Sequence, residues 1–281
     1  MSEHHSDWCL RCGHNHRHGP TGDLSGAIPL FERTLSDTVR VMGEDHPDTL
    51  TARNNLACAY ESARELNRAI PLFEQTLSDT VRVLSEDHPD TLTARNNLAY
   101  AYQSAGDLNR AIPLFEQTLS DTVRVLGEDH PDTLTARNNL ACAYESAGDP
   151  SGAIPLFEQA LSDTVRVMGE DHPDTLTARN NLAYAYHSAG DLSGAIPLFE
   201  QTVDARVLVL GETHPSTLTA RNNLASAYQS AGDLNRAIPL FEKTLSDTVQ
   251  VLGKAHPLTK AVRCAHVAAC AQRVVDGPKM M

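Results

Sequence analysis

Apolar residues along this chain recur at steps of three and four, not two. Between Thr91 and Asp132, Leu98, Ala101 and Ala105 fall at helical spacing, with Ala99 and Tyr102 on the adjoining flank. A second run, Ala111, Ile112, Phe115, Leu119, Val123 and Leu126, steps the same way over about twenty residues, a helix of ~30 Å. The two patterns predict a shorter helix A followed by a longer helix B. Gly106 stands where a left-handed residue ends helix A, and Asp107 is placed to cap helix B with its carboxylate. The stretch Gly127 to Pro131 then breaks the chain, because glycine frees the backbone and a residue before proline is steered out of the helical region. Pro113 lies near the second turn of helix B, where losing one hydrogen bond predicts a bend rather than a break. Period-two alternation is missing, so no strand is expected.

The whole pattern repeats. A shift of 42 residues superimposes His46-Pro47, His88-Pro89, His130-Pro131, His172-Pro173, His214-Pro215 and His256-Pro257, and likewise Arg53-Asn54-Asn55-Leu56 on four later copies. Helix B occurs six times, beginning near Asp23, Glu65, Asp107, Asp149, Asp191 and Asp233. Helix A occurs five times in good form. In its sixth copy Arg263-Cys264-Ala265-His266 replaces Arg-Asn-Asn-Leu, which puts an imidazole at a buried leucine position, as a terminal cap tolerates. A single helix pair cannot bury its apolar face alone, so successive pairs must stack. The expected fold is all-α, a right-handed superhelical solenoid of antiparallel helix pairs. Its expected parts are a Cys/His-rich tail over residues 1–22, the solenoid over 23–257, a degenerate capping helix over 258–275 and a short tail over 276–281. Residues 7 to 18 fill the slot of a first helix A without an amphipathic period, so the first helix B should be under-covered.

Leu98-Ala99, Tyr102, Gly106, Ala111 and Phe115 fall at the offsets of the tetratricopeptide repeat signature. With its 42-residue spacing and the segments LGEDHPDT and RNNLA, the chain resembles the extended repeats of kinesin light chain and of many bacterial repeat proteins. The resemblance runs from residue 23 to about 260, with two departures. Val123 stands where the short repeat closes on proline, and Arg95 where tryptophan is usual. It implies a protein-binding solenoid, and its matching Asn pair implies contact with a bound peptide.

Composition narrows the classes. At 41% hydrophobic the chain can pack a core, and no apolar run approaches the ~20 residues that span a bilayer. The opening residues lack a secretory pattern, so a cytoplasmic location is expected. Lys+Arg 23 against Asp+Glu 36 leaves a formal charge of −13, which repels phosphate backbones and makes nucleic acid an unsuitable partner.

Candidate chemistry is sparse. Cys9, Cys12, His14 and His16 are zinc-type ligands, and a metal-responsive tail is an alternative reading of them. A single CxxC with alternating imidazoles lacks zinc-finger spacing, so the preferred reading is a tail without a specific metal. The same thiol pair looks like a thioredoxin redox motif, but that chemistry needs a strand leading into a helix. Cys58 and Cys142, two repeats apart at ~20 Å, are beyond disulfide reach of one another and are expected as free thiols. The His-Pro ladder reads as turn and capping chemistry rather than catalysis. No phosphate-binding loop, dinucleotide fingerprint or HExxH motif occurs, and neither an enzyme nor a cofactor is expected.

The binding surface is the better prospect. On helix A, positions i, i+4 and i+7 share a face: Asn96, Tyr100 and Gln103 in one unit. The first position is always Asn, as Asn54, Asn96, Asn138, Asn180 and Asn222. The second runs Cys58, Tyr100, Cys142, Tyr184, Ser226, and the third Glu61, Gln103, Glu145, His187, Gln229. An Asn amide donates and accepts, so it suits an extended peptide backbone, with Tyr100, Tyr184, Gln103, His187 and Gln229 reading side chains. The competing reading has the Asn residues bonding between adjacent helices. The arginine row Arg53, Arg95, Arg137, Arg179 and Arg221 is expected to pack between helices. Partners are therefore a protein or peptide, or a second copy stacked end to end, since near-identical units give both ends related surfaces.

Overall fold

The computed structural model describes residues 24–277. Twelve helices run through them: α1 (Leu24–Met42), α2 (Pro47–Ser62), α3 (Leu66–Leu84), α4 (Pro89–Ser104), α5 (Leu108–Leu126), α6 (Pro131–Ser146), α7 (Pro150–Met168), α8 (Pro173–Ser188), α9 (Leu192–Leu210), α10 (Pro215–Ser230), α11 (Leu234–Leu252) and α12 (Pro257–Asp276). Even-numbered helices are the A type and odd-numbered ones the B type. No strand occurs among the described residues, and the class is the all-α one the pattern predicts. The chain divides into two compact units, residues 1–156 and 157–281, with the boundary inside α7.

In the first unit each helix from α1 to α6 packs on the next, and α2 also touches α4. In the second, α8 to α12 pack in the same succession, with α10 touching both α8 and α12. Large residues meet small ones: Phe73 and Phe115 on helices B and Ala57, Ala99 and Ala101 on helices A share one buried cluster. Each buried Phe is worth about 1.5–3 kcal/mol over leaving it exposed. Leu30 of α1 is 67% exposed, whereas its counterparts Leu72 and Leu114 pack against that cluster, so the first helix B is under-covered as expected.

The helix ends are set by the repeated residues. His46, His88, His130, His172, His214 and His256 are N-caps whose Nδ1 accepts from the backbone N–H two residues on, each at 3.2 Å. Proline at N1 follows each of them, where its missing N–H costs nothing. Gly106 has φ 78°, and Asp107 accepts from the N–H of Arg110, ending one helix and starting the next. The B helices continue through their internal prolines without a break.

Polar residues enter the core with their bonds satisfied, a feature that reading for apolar positions alone missed. Thr118 and Thr122 are buried on α5 and donate to the carbonyls of Leu114 (2.7 Å) and Leu119 (3.0 Å). Thr91 and Thr133, fully buried on helices A, donate to the carbonyls that close the preceding helices B, at Ser85 and Gly127. In the sixth helix A, His266 stands at the leucine position, partly buried, 3.4 Å from Cys270 Sγ and 3.6 Å from Glu242.

Candidate functional site

Helix A carries three polar rows, and the structure separates their roles. The arginine row is buried: Arg53 bonds Asp79 at 2.6 Å, Arg95 bonds Asp121 at 2.6 Å and Arg221 bonds Asp247 at 3.0 Å. These guanidiniums join helix A to the following helix B, as expected for a packing residue. In α9 the matching acid is Ala205, and Arg179 reaches only Glu170, at 3.4 Å.

A second row was not foreseen. Tyr60, Tyr102, Tyr144, Tyr186 and Tyr228 each donate to a glutamate 28 residues earlier on the preceding helix B: Glu32, Glu74, Glu116, Glu158 and Glu200. The bonds of Tyr144 and Tyr228 measure 2.5 Å. Burial and the carboxylate acceptor together push these phenols up to about 12. Arg68, Arg110 and Arg236 lie about 4 Å over the rings of Tyr60, Tyr102 and Tyr228. The signal in the sequence was the invariant 28-residue offset of Glu and Tyr.

The third row is the candidate binding face. Asn54 accepts from Asn97 (3.0 Å), Asn96 from Asn139 (3.0 Å) and Asn180 from Asn223 (3.3 Å), so successive helices A are tied by Asn pairs 43 residues apart. Asn54 and Asn138 also turn their amide nitrogens toward Cys58 Sγ (3.9 Å) and Cys142 Sγ (3.8 Å). The third positions continue the tie: Gln103 donates to Ser146 (3.1 Å), His187 meets Ser230 (2.9 Å) and Gln229 donates to Gln272 (3.3 Å). Inter-helix bonding, the competing reading of the Asn row, is thus present. It also sets the rungs of the face in register within each unit. Asn222 Oδ1 is buried without a donor, because residue 265, where the next Asn would stand, is alanine. Tyr100, Asn138 and Asn180 are buried, whereas Tyr184, Gln103, His187 and Gln229 are partly exposed. The Tyr184 and His187 rings lie 6.4 Å apart, and burial holds the His187 imidazole below its usual value.

Cys9, Cys12, His14 and His16 lie outside the described residues. Among the described residues no three His, Cys, Asp or Glu side chains are grouped to hold a metal. Cys58, Cys264 and Cys270 take part in no disulfide. No helix among the described residues is long and apolar enough to cross a membrane.

Two-helix units recurring every 42 residues, packed in succession within each compact unit, define a helical-repeat protein. Models of the tetratricopeptide repeat match residues 21–48, 49–90, 90–163, 153–206 and 217–258, and the chain belongs to the tetratricopeptide repeat family, with repeats of the kinesin light chain kind. A Podosopora anserina kinesin light chain-type protein of nearly identical TPR-like repeats is 31% identical, covering 73% of this chain and 97% of its own, with a TM-score of 0.65. BtubC (BKLC) from P. vanneervenii is 21% identical over 84% of this chain and 94% of its own, with a TM-score of 0.70. A Rap protein complexed with competence and sporulation factor is 11% identical over 90% of this chain and 78% of its own, with a TM-score of 0.58. The likeness to these last two is one of fold. No curated protein matches the chain.

Proposed function

We propose that the chain is a non-catalytic scaffold that takes an extended segment of a partner protein along the helix A face, in the cytoplasm and without a cofactor. One observation carries this reading: the rungs of the face are held in register by bonds between neighbouring helices A, while the residues between them change from Tyr to Cys to Ser. Packed helices stand ~8–10 Å apart and an extended chain advances ~3.3 Å per residue, so one rung meets about every third residue of a bound segment. Fixed spacing with varied chemistry suits side-chain reading of that kind. Tetratricopeptide repeats generally mediate protein–protein interaction, and the Rap protein complexed with competence and sporulation factor has the same fold, both of which support the reading. The acidic charge of −13 supports a protein rather than a nucleic-acid partner.

The test is selection from a peptide array, followed by anisotropy measurements on the selected sequence with wild type and the Tyr184→Ala, Gln229→Ala double variant. A loss of about tenfold or more is expected in a variant that circular dichroism shows to be folded at the assay temperature, since buried aromatic contacts dominate such interfaces. Equal affinity for the two proteins removes the assignment.

A second reading is end-to-end self-assembly, favoured by apolar exposure at both ends: Leu30 on α1, and Val267, Val274 and Val275 on α12. Light scattering distinguishes it. A mass that climbs with concentration supports it, and a steady mass near 30.5 kDa discards it.

A further inference from the structure

Helix α9 departs from the other B helices at one position that lies over the first turns of the flanking A helices. Thr38, Thr80, Thr122, Thr164 and Thr248 stand there in the other copies, and Arg206 in α9. The Arg206 side chain is 5% exposed, and among the described residues it forms no ion pair with a carboxylate. Its guanidinium donates instead to main-chain oxygens, that of Ser216 in α10 at 2.8 Å and that of Leu176 in α8 at 3.5 Å. Burial without a counter-ion lowers it to about 10. The gap between two A helices and the B helix that joins them is thus a place where this fold accommodates a guanidinium.

Two repeats earlier, with Thr122 at the same position, no side chain fills the corresponding gap. A cavity of about 70 Å³, partly open to solvent, lies between α4, α5 and α6. It is bordered by Leu92, Thr122 and Asp132, which stand in register with Leu176, Arg206 and Ser216, and by Asn96, Thr118 and Thr135. At roughly 10–15 Å³ for one water, it has room for several waters or for the four heavy atoms of a guanidinium. Thr118, Thr122 and Asp132 bring acceptors to a lining that is otherwise mixed. The hydroxyl hydrogens of Thr118 and Thr122 are spent on Leu114 and Leu119, so their oxygens are left to accept. No lysine or arginine lines it. Where α10 has Ser216, α6 has Asp132, which adds a carboxylate at the rim. At the last repeat the matching positions are Leu258 and Val262, both buried, which makes that gap apolar.

We propose that the α4–α5–α6 cavity binds a guanidinium group from outside, occupying the place that Arg206 fills from within the chain between α8 and α10. The ligand class is an alkylguanidine or an arginine side chain. A planar fork of N–H donors addresses several oxygens at once, which a compact ammonium does not. The site stands independently of the peptide-binding face, although Asn96 borders both.

The experiment is chemical-shift titration of the full chain with N-ethylguanidine, and with ethylammonium as a control of equal charge. Saturable shifts at Thr118, Thr122 and Thr135 are expected with N-ethylguanidine and not with ethylammonium. The lining residue types recur one repeat earlier, at Thr80 and Asp90. A Thr80→Arg, Thr122→Arg variant therefore installs in both gaps the side chain that α9 already carries, and should bind N-ethylguanidine at least tenfold more weakly. If that variant does not fold, Asp90→Ser with Asp132→Ser copies α10 instead, and should weaken binding about threefold. A third arm uses acetyl-Gly-Arg-Gly-amide: tighter binding than N-ethylguanidine at the same resonances identifies a partner's arginine as the source, and weaker binding identifies a free guanidine. Equal shifts with ethylammonium, or undiminished binding by a folded variant, would overturn the proposal.

Discussion

Single residues decide how firmly each repeat is tied. The Tyr–Glu rung makes the phenol a neutral donor to a carboxylate, so the folded state resists its ionisation. For a group whose value is raised on folding, the stabilisation is complete below its unfolded value, near 10, and is lost as pH rises through the folded value, about 12. Absorbance titration at 295 nm should therefore show five of the seven tyrosines ionising only above about pH 11, in step with unfolding. Seven phenols titrating together near pH 10 would contradict the rung. Backbone strain is equally local. Ser85 closes α3 at φ 96°, where the corresponding residue after α5 is Gly127 at φ 92°. A side chain in that conformation costs about 1 kcal/mol or more, so Ser85→Gly should raise the unfolding free energy by about that amount, read from the denaturation midpoint. An unchanged or lowered midpoint would show that Ser85 has a compensating bond.

At the scale of the helices, what the chain revealed depended on the distance over which a signal acts. Caps, breaks and apolar faces are local, and the His-Pro caps, Gly106, Asp107 and the twelve helices were legible from one repeat. The ties between helices were not. Arg95 meets Asp121 across 26 residues and Tyr102 meets Glu74 across 28, and neither offset belongs to a single helix face. They become visible only when the copies are laid over one another and partners are sought at a constant offset. Arg82 and Arg124 pair with Asp45 and Asp87 across 37 residues, and at the same offset the sequence has Gln250 and Thr213, neither of them charged. Thr118 and Thr122 were passed over as polar, although a hydroxyl bonded to its own helix can be buried. The candidate face was legible as a row of residues, but that its Asn oxygens are engaged between helices required coordinates.

The missing rung in α9 gives an element-scale prediction. Arg179 lacks the aspartate that Arg53 and Arg95 possess, because residue 205 is alanine. Ala205→Asp should restore the pair and stabilise the second unit by about 1.5–3 kcal/mol, the range for a hydrogen bond to a charged group. Urea unfolding at pH 7 and pH 3 checks this. A gain of the same size at both pH values would contradict an ion pair.

For the molecule as a whole, stability in a repeat array sums over neighbouring interfaces, so near-identical repeats settle the fold class before any single contact is known. They do not settle the partner, because what distinguishes one repeat from the next is confined to a few positions such as Tyr100, Cys142, Tyr184 and Ser226. On the scaffold reading proposed above, function rests on that minority of residues and fold on the repeated majority. The most direct test of the scaffold reading is to map where an array-selected peptide binds, by chemical-shift perturbation on the full chain. The reading predicts shifts concentrated on helix A at Gln103, Tyr184, His187 and Gln229, with the outward faces of the B helices, marked by Val83, Val125 and Leu208, unchanged. Shifts confined to those B-helix faces, or to Leu30 and Val274 at the two ends, would contradict it.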